Sequence, residues 1–249
     1  MAQGCAGCGG PPLDFDFTMF FQPIVDVRHD RVWGYEALVR GLEGQSAASV
    51  LARVDEHNRY RFDQACRVKA IELAAERLPP GPARLALNFQ PGAVYEPRAC
   101  IRTTLETAAR VVFDPRRLVF EFTENEPMPD VGHVERIVAA YRQFGFTTAI
   151  DDFGAGFAGL GLLCALGPDL VKVDMSIIRG IDASPRRQAV LRAILQLARE
   201  LDTVVLAEGV EEVGEYAFLA RAGVDLMQGY LFARPEPQPP HRVSLSPLP

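Results

Sequence analysis

The sequence predicts an α/β fold, a (β/α)8-type barrel that is modified at its start by a β-hairpin with one antiparallel strand. The chain has 249 residues, and a single barrel of this kind typically needs about 250. From Asp16 onward, short apolar runs alternate with longer segments in which apolar residues recur every three or four positions. No Ser/Gly linker or change in composition divides the middle of the chain, so we expect one domain.

The opening of the barrel predicts a hairpin. Residues 17–27 and 31–39 are both strand-like, and only the dipeptide His29-Asp30 and its neighbours separate them. No helical spacing lies between the two runs. We therefore expect the barrel to depart from strict alternation of strand and helix at this point.

Three amphipathic helices follow from the apolar spacing. The first has an apolar face flanked by the polar residues Asp63, Arg67, Lys69 and Glu76. That face consists of Phe62, Cys66, Ala70, Leu73 and Ala74. The second helix is indicated by Val131, Val134, Val138 and Tyr141. The third is indicated by Val190, Ile194, Leu197 and Leu201.

Short apolar runs between the helices predict the parallel strands. They lack the alternation of a half-exposed strand, which is typical of strands buried on both faces. The runs are 85–87, 118–120, 148–150, 170–171 and 204–207.

The two ends of the chain differ in composition from the rest. We expect a disordered Cys/Gly/Pro-rich tail at residues 1–15, the barrel at 16–236, and a disordered Pro-rich tail at 237–249. Cys5 and Cys8 form a CxxC pair that could bind metal or respond to redox state, although an unstructured tail is the favoured interpretation. The three remaining cysteines lie in apolar segments and are expected to be reduced.

Charge and hydropathy exclude several classes of function. The net charge is −6 and no Lys/Arg block is present, which argues against binding of long nucleic acid. We expect a cytoplasmic protein with no membrane segment, because no signal sequence and no apolar stretch of about 18 residues occurs. The four histidines have no metal-ligand spacing, so zinc is disfavoured.

Polar residues stand at the ends of the predicted strands. In a parallel barrel all these ends open on one face, so the residues should share one cavity. They are Glu36, Asn88, Glu121, Asp151, Asp152, Lys172, Glu208 and Gln228. One such acid could be an ordinary solvated side chain, but the series predicts a metal centre. Oxygen ligands suit Mg²⁺ or Mn²⁺, and the number of carboxylates indicates two ions.

The motifs around these positions resemble the EAL domain family over about residues 17–236. The tripeptide Glu36-Ala37-Leu38 matches the one that gives the family its name. Further matching motifs follow in the family's order. They are Gln22-Pro23-Ile24-Val25, Leu87-Asn88-Phe89, Glu121-Phe122-Thr123-Glu124, Asp151-Asp152-Phe153-Gly154, Lys172-Val173-Asp174, Glu208-Gly209-Val210-Glu211 and Gln228-Gly229-Tyr230.

The resemblance implies a TIM-like barrel enzyme that hydrolyses the bacterial messenger cyclic di-GMP to linear pGpG. It implies one metal held by Glu36, Asn88, Glu121 and Asp151. It implies a second metal held by Asp151, Asp152 and Glu208. The catalytic residues would be Glu36, Asp152, Lys172 and Glu208. Of these, Lys172 would orient the attacking water or stabilise developing charge.

The resemblance also implies residues that contact the substrate. Arg40 would bind a phosphate and Gln22 a guanine edge, although a surface ion pair and strand capping are the alternatives for these two. The implied set is Gln22, Leu38, Arg40, Asp174, Glu211 and Gln228. Glu124 would stabilise the loop that follows Asp152.

One loop departs from the family's common pattern. Ala155, Ala158 and Gly159 occupy positions where hydroxyl residues are commoner. In the family this loop couples the metal site to dimerisation, so the change bears on regulation more than on chemistry. By analogy we expect a homodimer formed through residues 159–178.

Two other functions stay open at this point. The chain could be a catalytically inactive cyclic di-GMP receptor that signals through protein contacts, but such members have usually lost metal ligands and this chain has lost none. It could also be a different metal-dependent barrel enzyme that acts on a sugar or an enolate. That alternative does not explain the ordered series of motifs.

Overall fold

The computed structural model describes residues 12–90, 100–123, 131–156 and 159–243. Its centre is a closed barrel of eight strands arranged in chain order. The strands are β1 Thr18–Asp26, β2 Arg31–Arg40, β3 Arg84–Phe89, β4 Leu118–Thr123, β5 Thr147–Phe153, β6 Leu170–Val173, β7 Val204–Ala207 and β8 Leu226–Met227. Strand β1 is antiparallel to both its neighbours, β2 and β8, and all other pairs are parallel. The predicted barrel and its opening hairpin are confirmed.

The hairpin turn is held by one buried carboxylate. Asp26 accepts hydrogen bonds from the backbone N–H of His29 at 3.2 Å and from Nε of Arg31 at 2.9 Å. Asp30 adopts a left-handed φ of 47°, which suits a tight turn. The resulting register sets Gln22 directly opposite Glu36.

Helices cover the outside of the barrel. They are α1 Ala47–Leu51, α2 Arg59–Arg77, α3 Arg102–Arg110, α4 Val131–Gln143, α5 Gly159–Leu166, α6 Met175–Ile178, α7 Pro185–Glu200 and α8 Val213–Ala222. The three helices predicted from apolar spacing correspond to α2, α4 and α7. Short 3₁₀ turns lie at Pro115–Arg117 and Ile181–Ala183.

An apolar floor closes the inside of the barrel. It consists of Ile24, Ala86, Val119, Ala149, Leu170, Leu206 and Leu226. Strand side chains alternate in direction, so the next inward position on each parallel strand lies two residues further on. Those next positions are polar: Asn88, Glu121, Asp151, Lys172, Glu208 and Gln228. The floor thus supports a polar layer directly above it.

Two helix faces differ from their predictions. In α7 the buried residues are Leu191 and Ala198, whereas Val190 is 47% exposed and Leu201 44% exposed. Ile194 and Leu197 of the predicted face pack against the core, so the prediction is wrong only at its two ends, where Leu191 and Ala198, each one residue or three from the predicted positions, are buried instead. In α2 the predicted polar flank is also wrong in part, since Asp63 and Arg67 are buried in the interior.

The C-terminal segment contacts the barrel. Glu236 pairs with Phe21 of β1, and the hydroxyl of Tyr35 donates to the carbonyl of Pro240 at 3.1 Å. Residues 1–11, with Cys5 and Cys8, and residues 244–249 lie outside the described part of the chain. The tail boundaries stay predictions. Among the described helices, none has the length and apolarity required to cross a membrane.

Candidate metal centre

Lys172 occupies the centre of the polar layer. Its ammonium nitrogen is buried and lies within ion-pair distance of four carboxylates. The distances from Nζ are 2.8 Å to Glu208, 2.9 Å to Asp151, 3.1 Å to Glu121 and 3.6 Å to Glu36. Burying an ammonium group is costly without such partners, and these acids supply the compensating charge.

Two amides bind the carboxylate of Glu36, and a third amide, that of Gln22, is linked to them through Gln228. Asn88 donates to Oε1 at 3.0 Å, and Gln228 donates to Oε2 at 2.8 Å. The same amide of Gln228 also lies 3.2 Å from the side-chain oxygen of Gln22. Gln22 in turn donates to the carbonyl of Ala233 at 3.0 Å. The predicted residues from β1, β2, β3 and the end of β8 therefore meet at one carboxylate.

Consecutive acids on β5 both reach the site because the strand is irregular. In a regular strand, neighbouring side chains point to opposite faces. Here the pairing of β5 with β6 shifts register between Ile150 and Phe153, and Asp152 has a left-handed φ of 54°. A register shift of this kind re-aims a side chain. The register shift places Asp152 at the same open end of the barrel as Asp151.

Burial raises the pKa of several of these acids. Desolvation raises the pKa of Glu121 and of Glu208 well above the ordinary value, and Lys172 offsets this only in part. Burial and the neighbouring charge of Asp151 raise the pKa of Asp152 to about 6. Burial alone would lower the pKa of Lys172, but the surrounding carboxylates raise it. The acids thus favour additional positive charge.

The carboxylates form two overlapping groups that suit metal binding. Within each group, ligand oxygens from three residues lie within 4.8 Å of one another. One group is Glu36, Glu121 and Asp151, and the other is Asp151, Asp152 and Glu208. Asp151 belongs to both, as expected for a ligand that bridges two ions.

The chemistry of the donors fits a divalent cation. Glu121 is completely buried; its Oε2 forms an ion pair with the Lys172 ammonium at 3.1 Å, but neither oxygen has a partner with hydrogen-bond geometry within the described ranges. Buried polar atoms are normally hydrogen-bonded, and Lys172 is shared among four acids, so these oxygens suit a further cation. Hard carboxylate oxygens are the ligands that Mg²⁺, Mn²⁺ and Ca²⁺ prefer.

The predicted substrate residues on β2 lie at its outer end. Leu38 is partly buried beside a cavity that Asn88 also lines. Arg40 donates to the carbonyl of Val39 at 2.7 Å, and its guanidinium lies 5.8 Å from the ring centroid of Phe20. The role of Arg40 stays a prediction.

Two more predicted substrate residues lie in the loops that follow β6 and β7. Asp174 caps helix α6 by accepting from the backbone N–H of Ser176 at 2.9 Å, and its charge contributes to the raised pKa of Asp152. Glu211 forms an ion pair with Arg179, whose hydrogen bond lowers the pKa of Glu211. Glu124 lies outside the described residues, so its predicted role in the loop has no structural description.

A buried acid that the sequence analysis did not single out adjoins the site. Glu215 is only 2% exposed and accepts hydrogen bonds from three backbone N–H groups. Its position three residues after Glu212 is the spacing of a capping box. A capping box is usually recognised by Ser or Thr at the cap position. Because Glu212 stands there in this chain, the pattern was not recognised from the sequence.

Comparisons with known proteins identify the family of this chain. The EAL domain family model matches residues 14–235. The blue light- and temperature-regulated antirepressor BluF of Escherichia coli is 32% identical over 215 residues, which cover 86% of this chain and 53% of BluF. Cyclic di-GMP phosphodiesterase NbdA of Pseudomonas aeruginosa is 33% identical over 236 residues, which cover 90% of this chain and 29% of NbdA. The chain thus spans about half or less of the length of these relatives.

Solved structures agree in fold. A standalone versatile EAL protein from Vibrio cholerae O395, in its c-di-GMP-bound form, is 53% identical with a TM-score of 0.90. The match covers 94% of this chain and 98% of that protein. Klebsiella pneumoniae BlrP1, in a manganese and cyclic di-GMP complex, is 34% identical with a TM-score of 0.83, covering 92% of this chain and 57% of BlrP1. The chain belongs to the EAL domain family.

Proposed function

We propose that this chain is a metal-dependent phosphodiesterase that hydrolyses cyclic di-GMP to linear pGpG. The observation that carries the proposal is the polar layer, in which four carboxylates surround Lys172 and the amides of Asn88 and Gln228 bind one of them, Glu36. Relatives named as cyclic di-GMP phosphodiesterases support the reaction. Similar structures that hold cyclic di-GMP support the substrate.

Two Mg²⁺ or Mn²⁺ ions are part of the proposal. The first would be held by Glu36, Asn88, Glu121 and Asp151, and the second by Asp151, Asp152 and Glu208. Bound ions of this type supply positive charge for in-line displacement at phosphorus and make water more acidic. BlrP1 complexes with manganese and with calcium support a divalent ion at this kind of site.

The chain's own residues would orient the carboxylates and neutralise the negative charge of the substrate. Lys172 keeps the acids at fixed spacing and offers a buried N–H donor where negative charge develops on a phosphate oxygen. Asn88 and Gln228 fix the direction of the Glu36 carboxylate. Asp152 and Glu208 would hold the second ion as ionised carboxylates, and because the pKa of Asp152 is raised to about 6 without metal, ion binding has to displace a proton from it at lower pH.

Substrate recognition is assigned to the rim of the barrel mouth. Arg40 would bind a phosphate, Gln22 would contact a guanine edge, and Leu38 would pack against a base. Asp174, Glu211 and Gln228 would complete the substrate site. Glu211 would act together with Arg179, its ion-pair partner.

The proposal extends to assembly and location. A homodimer would form through residues 159–178, where Leu160 is 63% exposed and Met175 45% exposed. A dimer of this kind would cover both side chains. Action on an intracellular messenger implies a cytoplasmic location and effects on motility or biofilm formation.

Incubation of the purified chain with cyclic di-GMP, followed by chromatographic separation of products, tests the function. Mg²⁺ or Mn²⁺ should yield pGpG, and a chelator should stop the reaction. Tight binding without product would favour the receptor alternative, which the antirepressor BluF keeps relevant. If the chain neither binds cyclic di-GMP nor forms product, both the enzyme and the receptor alternatives are refuted.

A further inference from the structure

We infer that Glu215 is a positioning residue whose buried carboxylate locks together two loops of the metal and substrate site. Its role in turnover rests on the proposed function, but the contacts themselves do not. The first loop, 208–212, follows β7 and carries Glu208 and Glu211. The second loop, 174–180, follows β6, contains the short helix α6 and carries Asp174.

The carboxylate of Glu215 connects the two loops with one oxygen each. Oε1 accepts from the backbone N–H of Gly180 at 2.8 Å. Oε2 accepts from the backbone N–H groups of Glu211 at 3.0 Å and Glu212 at 3.1 Å. Hydrogen bonds to an ionised acceptor are about twice as strong as neutral ones, and burial keeps water from competing.

The two loops also touch each other close to the metal groups. Where the two loops begin, the backbone N–H of Glu208 donates to the carbonyl of Val173, the last residue of β6, at 3.1 Å. Gly209 has a left-handed φ of 66°, and a Cβ at this position would lie 2.5 Å from Cβ of Met175. The loops therefore pack with no spare space, and a shift of one must displace the other.

Helix α8 supplies a rigid base for the lock. Glu215 lies in its first turn, and Leu219 one turn later is completely buried. A carboxylate near a helix N-terminus is favoured by the helix dipole. Fixed to this helix, Glu215 sets where Glu208 and Glu211 sit relative to Asp174.

The test compares Glu215→Gln with the control variant Ala220→Gly. Ala220 is exposed in the same helix, so glycine there weakens the helix but leaves the hydrogen bonds of Glu215 in place. Glutamine has the same shape but only one acceptor oxygen, so one of the two loops meets an NH2 group instead. We expect Glu215→Gln to lower Mn²⁺ affinity and kcat by about 10–100-fold each, as is typical for residues that support metal ligands. Ala220→Gly should change neither by more than about twofold.

Hydrogen exchange gives a readout that does not depend on activity. The amides of Gly180, Glu211 and Glu212 should exchange faster in Glu215→Gln than in the parent chain, and at the parental rate in Ala220→Gly. Faster exchange with unchanged Mn²⁺ affinity and kcat would overturn the positioning role and leave a purely structural one. Unchanged exchange would overturn the lock itself.

The measurements distinguish failure of this inference from failure of the proposed function. If the parent chain forms no pGpG, the proposed function fails, while Mn²⁺ affinity and amide exchange still decide the role of Glu215. If the parent chain is active and Glu215→Gln equals it in all three measurements, only the lock is refuted.

Discussion

The ammonium nitrogen of Lys172 lies 2.9 Å from Oδ1 of Asp151 in the interior of the barrel. Asp151 is also the acid shared by the two candidate metal groups. One side chain therefore neutralises the carboxylate on which both groups depend. This relationship makes the charge of Lys172 important for the stability of the metal-free protein.

Replacing Lys172 by methionine should destabilise the metal-free protein by about 3–5 kcal/mol at neutral pH, because buried acids lose their cation. The loss should shrink at lower pH as the acids become protonated. Urea denaturation in the presence of chelator measures both effects. A Lys172→Met/Glu121→Gln double variant, which removes one opposing charge as well, should recover part of the stability. A loss that does not depend on pH would contradict the electrostatic explanation.

Replacing Glu36 by alanine should reduce pGpG formation by at least about 100-fold, because the site loses a proposed metal ligand that Asn88 and Gln228 orient. Product chromatography under Mn²⁺ saturation measures the loss. Glu200→Ala, at an exposed position at the end of α7, is the matched control and should retain activity. Full activity of Glu36→Ala would show that the metal assignment is wrong.

The raised pKa of Asp152 gives a pH dependence with a defined sign. An acid whose pKa is higher in the folded chain binds its proton more tightly when folded, so its stabilising effect holds at low pH. The effect is lost as pH rises from near 3.8, the unfolded value, through about 6. Thermal unfolding with chelator should therefore show Asp152→Asn gaining stability relative to the parent chain across this window. A stability difference between Asp152→Asn and the parent chain that stays constant with pH would contradict the raised pKa of Asp152.

The same titration predicts how metal stabilises the chain. Above about pH 6, Asp152 is ionised and gains most from a bound cation. Mn²⁺ should therefore raise the melting temperature of the parent chain more at pH values above 6 than below, and this increment should be smaller in Asp152→Asn. Scanning calorimetry with and without Mn²⁺ measures it.

The buried ion pair of helix α2 should be important for stability. Nη2 of Arg67 lies 2.7 Å from Oδ2 of Asp63, and both side chains are buried. Asp63→Asn should cost about 3–5 kcal/mol in urea denaturation because Arg67 keeps a buried, uncompensated charge. Asp63→Leu/Arg67→Met should cost less, and Glu76→Gln on the exposed side of α2 should cost almost nothing. Equal losses in the single and double variants would refute this account.

The sequence by itself determined the barrel and the composition of the site. Strand order follows from the alternation of apolar runs and helical spacing, and polar residues at strand ends converge because parallel strands end on one face. Glu36, Asn88, Glu121, Asp151, Lys172, Glu208 and Gln228 could all be identified in this way. A local pattern is sufficient here because strand direction places each residue without reference to distant contacts.

Only the tertiary structure decided which polar residues are buried and how they pair. Asp63 and Arg67 follow a helical polar pattern, yet they face the interior because each neutralises the other. Glu215 stands in a sequence of exposed acids, but three backbone N–H groups from two loops surround it. The buried face of α7 centres on Leu191 rather than Val190. Burial and pairing depend on partners distant in sequence, and local spacing carries no information about those partners.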